Sequence, residues 1–168
     1  MTALTKRSKK LYDHLSSKQK AALTFKCLAN RNEDEAGLIT DSVPRHVYRQ
    51  TEAAYSDWID VIFSVASLWG LEYWQQMYYS ASILVTIAES DTEEYKLVAY
   101  TQQQARLAAL KEALEEFCIQ HGIDVAPVYE FAGVNPKQFK GIEADPDYKA
   151  QALANYNNCV PDRLKAVL

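Results

Sequence analysis

The chain has little of what most functional signatures require. Its five glycines, Gly37, Gly70, Gly122, Gly133 and Gly141, stand apart from one another. There is therefore no clustered-glycine loop whose backbone N–H groups could cradle a phosphate. Five glycines and five prolines in 168 residues are also too few for a strand-rich fold with many tight turns. No Gly-x-Ser-x-Gly elbow occurs, and no Glu-x-x-His pair, the spacing that turns two ligands of a di-iron bundle toward one metal. The three cysteines, Cys27, Cys118 and Cys159, are odd in number and far apart. That argues against a disulfide framework and for a reducing, cytoplasmic setting. The opening stretch is polar and basic where a secretory signal would be apolar, so no export is expected.

Charge is scarce where helix is strongest. From Val61 to Ala88 the only ionisable acid or base of the Asp, Glu, Lys and Arg types is Glu72, and apolar or aromatic residues point in every helical direction. A helix apolar all round has to be covered on all sides, by its own chain, a second chain or lipid. Lipid is disfavoured. Glu72 splits the run near its middle, Gln75, Gln76, Ser80, Ser82 and Thr86 dilute its second half, and the flanks carry Asp57, Asp60, Glu89 and Asp91 without Lys or Arg anchors.

What remains is abundant helix former, with 48% hydrophobic residues available for one core of ordinary domain size. The sequence therefore predicts an all-α fold, a helical bundle built on a long central antiparallel hairpin with short flanking helices at both ends. Residues 1–14 read as a polar basic arm and 15–168 as a single helical domain. Ser16 and Gln19 form a capping-box pattern for a first helix to about residue 30. Asn32 and Glu35 suggest a short second helix ending near Ser42, before Pro44. Residues 43–51 read as a loop, 52–89 as the first long helix, and 92–121 as its hairpin partner, with Tyr100, Leu107, Leu110, Leu114, Phe117 and His121 as its buried stripe. Gly122 is placed to end that helix as a left-handed cap. In the proline-punctuated remainder, Asp145-Pro146 is a cap and first turn for a helix to about residue 157.

Three groups of residues are candidates for function. Trp69, Trp74, Tyr78 and Tyr79 are of the types that anchor interfaces, and Ala66, Gly70, Ser80 and Ala81 are small enough to let a second helix approach. They favour a homodimer and an unidentified protein partner. Lys6, Arg7, Lys9, Lys10, Arg45 and Arg49 lie in residues 1–50, whose net charge of +5 opposes −9 over the rest. That makes nucleic acid the alternative ligand, although a second helix beginning Glu33-Asp34-Glu35 would push acid toward phosphates. Cys118 and His121 share a helical face, a weak signal for zinc or thiol chemistry that packing and a helix-end imidazole explain more simply. The expectation is a non-enzymatic helical interaction or regulatory protein with no catalytic, cofactor or metal residues. A helical enzyme or metal protein without a motif is the further alternative.

Overall fold

The computed structural model describes the backbone of residues 6–28, 45–89 and 94–165, and the side chains of most of them. Within these residues there are six α-helices and no strand. They are α1 (Lys6–Asp13), α2 (Ser17–Leu28), α3 (Arg45–Glu89), α4 (Glu94–His121), α5 (Ala126–Ala132) and α6 (Pro146–Asn158). Single 3-10 turns follow at Pro136–Phe139 and Asp162–Leu164. The expected second helix near residues 32–42 lies outside the described residues.

The helix ends are written in local sequence. Ser16 Oγ accepts from the Gln19 N–H at 3.2 Å while Gln19 Oε1 accepts from the Ser16 N–H at 3.0 Å, a complete capping box. At the end of α4, Gly122 takes φ 68°. The Ile123 N–H then reaches back to the Cys118 carbonyl at 2.8 Å and the Gly122 N–H to Ile119 at 3.4 Å, the paired bonds of a Schellman cap. Asp145 Oδ1 accepts from the N–H groups of Asp147 and Tyr148, both at 3.1 Å, and opens α6.

Two boundaries differ from expectation. Residues 6–13, read from sequence as arm, form α1, because Tyr12 and Leu15 are buried and tie this stretch to the core. Tyr12 also accepts, through its hydroxyl, from the Asp124 N–H at 3.1 Å. The first long helix starts at Arg45 rather than 52. A proline restricts the residue before it, and nothing in Arg45–Gln50 opposes helix after it. At 45 residues, α3 is about 67 Å long at 1.5 Å per residue.

Contacts between α3 and α4 run in opposite directions along the two helices. Trp58 faces His121 with ring centroids 5.2 Å apart, the Trp69 indole N–H donates to the Leu110 carbonyl at 3.1 Å, and Gln103 donates to the Gln76 carbonyl at 3.2 Å. This is the antiparallel hairpin that the near-continuous helical pattern implied. The inward seam of α3 is Trp58, Val61, Ile62, Val65, Ala66, Trp69 and Tyr73, all buried. Helix α6 lies along α4 in the same direction, joined by Asp145 N–H to Ala105 carbonyl (3.1 Å) at one end and His121 to Asn157 (2.9 Å) at the other. Helices α1, α2 and α5 close the other side. Because α4 is packed on more than one flank, its buried surface is wider than the predicted stripe and includes Gln103, Ala108, Ala109, Ala113 and Cys118.

Candidate interaction surface

Helix α3 carries a second seam, turned away from the core. Leu68, Leu71, Gln75, Tyr78, Ser82 and Val85 alternate steps of three and four residues, and every one of them is exposed. Leu71 is 73% exposed, Tyr78 71% and Val85 58%. Trp74 and Tyr79 flank the seam at 50% and 47%. A three–four spacing keeps side chains on one face, the arrangement by which a helix meets another helix. Glu72, the single charge between 61 and 85, is turned off this face, and its Oε1 accepts from the Tyr148 hydroxyl on α6 at 3.2 Å. The exposed seam thus carries no charge, and four of its six residues, Leu68, Leu71, Tyr78 and Val85, are apolar or aromatic.

Trp74 is held in place rather than loose. Its indole N–H donates to the Ala132 carbonyl at 3.1 Å and its ring meets Tyr73 edge to face at 5.6 Å. Phe131, 45% exposed on α5, extends the apolar area near this anchor. Toward the N-terminus the same stripe turns polar, through Ser67, Ser64 and Asp60, all exposed. The apolar part therefore spans residues 68–85, about 26 Å of helix.

The four aromatic candidates separate cleanly. Trp74, Tyr78 and Tyr79 stand on the exposed face. Trp69 does not: it is fully buried, bonded to Leu110, and packed on Tyr73 and Tyr129 at 5.2 and 5.5 Å. It points along the inward seam, two residues out of phase with Leu71, so its place is the core. Of the small residues, Ala66 and Ser80 are buried within the fold, Ala81 is exposed, and Gly70 has nothing within 4 Å of the position a Cβ would take. Leu68, Leu71, Gln75 and Val85 are the surface residues that attention to aromatics missed; their three–four spacing marks a common face, and only packing shows that this face is the outward one.

Of the basic candidates, Lys10 is exposed. The side chains of Lys6, Arg7, Lys9, Arg45 and Arg49 lie outside the described ones. Lys20 is 5.1 Å over the Tyr12 ring.

The thiol and imidazole of α4 belong to the interior. Burial pushes the Cys118 thiol up to about 12, with the nearby Asp124 and Glu115 carboxylates adding to it. The nucleophilic thiolate is therefore scarce at neutral pH. Burial lowers the affinity of His121 for a proton, opposed by the Asn157 side chain. Asn157 Oδ1 only accepts, so the 2.9 Å bond selects the Nε2–H tautomer. The ring is packed on Phe117 and Trp58. Among the described residues no group of three or more His, Cys, Asp or Glu side chains is arranged to hold a metal ion, and no helix is long and apolar enough to cross a membrane.

A surface cleft of about 260 Å³ opens between α3 and the chain after α6, lined by Asp60, Val61, Ser64, Asn158, Cys159, Pro161 and Arg163. Its thiol, Cys159, is raised by burial, the direction opposite to activation. Tyr129 is likewise raised, first by burial and then by donating to Glu115 at 2.7 Å. The shifts of Cys118, Cys159 and Tyr129 accompany packing and move each group further from titration near neutrality. Comparison with protein-family models, with curated proteins and with solved structures finds no match to this chain.

Proposed function

We propose that this chain is a non-enzymatic helical interaction protein that self-associates and engages protein through the outer face of α3. The observation that carries the reading is the uncharged seam from Leu68 to Val85, exposed on a helix whose opposite seam is fully used by the core. Apolar patches of several hundred Å² on a folded domain mark contact sites. Here, flanking Tyr and Trp side chains supply large contact area at small entropic cost. A phosphate backbone has nothing to pair with on a surface without Lys or Arg, which favours protein over nucleic acid as the ligand of this face. Cys118 and Cys159 are free thiols, in keeping with the cytoplasmic setting read from the sequence.

Light scattering across a dilution series tests this reading. The expected result is a native mass of twice the chain mass at micromolar concentration, changed little between about 0.1 and 1 M salt because no charge lies in the contact. Leu71→Asp combined with Tyr78→Asp converts it to a monomer of unchanged helicity, since both side chains already face solvent in the single chain. A wild-type protein that stays monomeric at every concentration refutes the proposal.

A further inference from the structure

We infer that the second copy lies antiparallel on α3, about a two-fold axis between residues 76 and 77; this rests on the self-association proposed above and fixes its geometry. Three observations lead there.

The first is area. With full side-chain areas of about 150–250 Å² for the aromatic residues, the exposed parts of the seam and its flanks amount to roughly 700 Å² per chain. Burying this on both copies removes about 1,400 Å², within the range of specific dimers. A second copy is thus large enough an occupant for the whole face, and the face meets its own likeness without like-charge repulsion, because Glu72 is turned to Tyr148.

The second is the order of residues along the seam. Turned about that axis, Leu68 meets the partner's Val85, Leu71 meets the partner's Ser82, and Gln75 meets the partner's Tyr78. Each layer then sets a large residue against a smaller one, or an amide beside a phenolic hydroxyl that can donate or accept. A parallel pair instead stacks Gln75 on Gln75 and Ser82 on Ser82, two wholly polar layers inside an apolar seam.

The third is the helix dipole. In a parallel pair two aligned helix dipoles repel, whereas in the antiparallel pair they run in opposite directions and attract.

Cysteine cross-linking tests the orientation on the full chain. Across an antiparallel pair, Leu71 is opposite Ser82 but about 16 Å along the axis from the partner's own Leu71. A disulfide needs Cα atoms within about 7 Å. Leu71→Cys alone and Ser82→Cys alone should therefore stay at the wild-type background of cross-linked dimer under mild oxidation. The double variant Leu71→Cys/Ser82→Cys should convert most of its chains to covalent dimer, with the 71–82 linkage found in its peptides. A short bis-maleimide applied to the same variants gives the same pattern without demanding disulfide geometry. Cross-linking of either single variant, or none in the double variant by either chemistry, overturns the antiparallel register. Light scattering of the reduced variants separates the two ideas: a dimer with the wrong linkage sinks the orientation alone, whereas a monomeric wild type sinks both.

Discussion

Trp69 and Trp74 lie five residues apart in one helix, yet truncating them should have very different costs. The Trp69 side chain is wholly buried and its indole N–H is bonded to the Leu110 carbonyl at 3.1 Å. Replacing it with Ala removes about 200 Å² of buried ring and one hydrogen bond. At about 25 cal/mol per Å² the area alone corresponds to roughly 5 kcal/mol before the cavity relaxes. Measured large-to-Ala changes in cores run at about 3–5 kcal/mol. Trp74 already has half its surface in water, so Trp74→Ala should cost about 1 kcal/mol in the separated chain. Urea unfolding followed by circular dichroism measures both, at a concentration low enough that association does not stabilise the folded state. For a chain of this size the Trp69→Ala melting temperature should fall by roughly 6–20 °C and that of Trp74→Ala by only a few degrees. Trp69→Phe, which keeps most of the volume and loses the N–H, should sit between them, about 1–2 kcal/mol below wild type. If Trp69→Ala and Trp74→Ala destabilise equally within about 0.5 kcal/mol, the assignment of one to core and the other to surface is wrong.

Gly70→Ala should stabilise by about 0.5–1 kcal/mol, because the residue is mid-helix and an added Cβ has nothing within 4 Å; a loss of stability in the same denaturation assay contradicts that open space. Asp145→Ala removes the cap of α6 and should cost about 1 kcal/mol, with Asp145→Ser recovering most of it; equal stability of the Ala and Ser variants would mean that the cap bonds are not made in solution. His121 gives the protein a pH dependence of known sign. Burial lowers its pKa below the ordinary 6.5, so the unfolded chain takes up the proton first. The contribution is complete above 6.5 and declines, by at most about 1.4 kcal/mol per pH unit, as pH falls from there toward the folded-state value. His121→Gln should flatten the urea midpoint over that window, and an unchanged slope would assign it to other groups.

Much of the fold was legible because its signals are local. Ser16 with Gln19, Gly122, and Asp145 with Pro146 each act within one helical turn, and each ends or starts a helix where expected. The stripe of α4 was readable for a related reason, since polar residues mark its outer side. Helix α3 offered no such contrast between 61 and 85. Apolar residues on every side make the inward and outward seams equivalent in sequence, and only tertiary packing distinguishes Trp69 from Trp74. The burial of Tyr12, which turns a basic arm into α1, depends on Asp124 more than 100 residues away. No periodicity could reveal that.

At 76–80 and 103–104, toward the turn of the hairpin, α3 and α4 are joined by amides and a hydroxyl. Gln103 donates to the Gln76 backbone carbonyl and side-chain oxygen, and Gln104 donates to Ser80 at 2.8 Å. We expect that parting these polar rungs uncovers less apolar surface than parting Trp58 from His121, which breaches the core. The two ends of one hairpin should therefore breathe differently. Amide hydrogens near 76–80 and 103–104 exchange through small openings whose free energy scarcely depends on denaturant, while those near 58–69 and 110–117 wait for the whole domain to unfold.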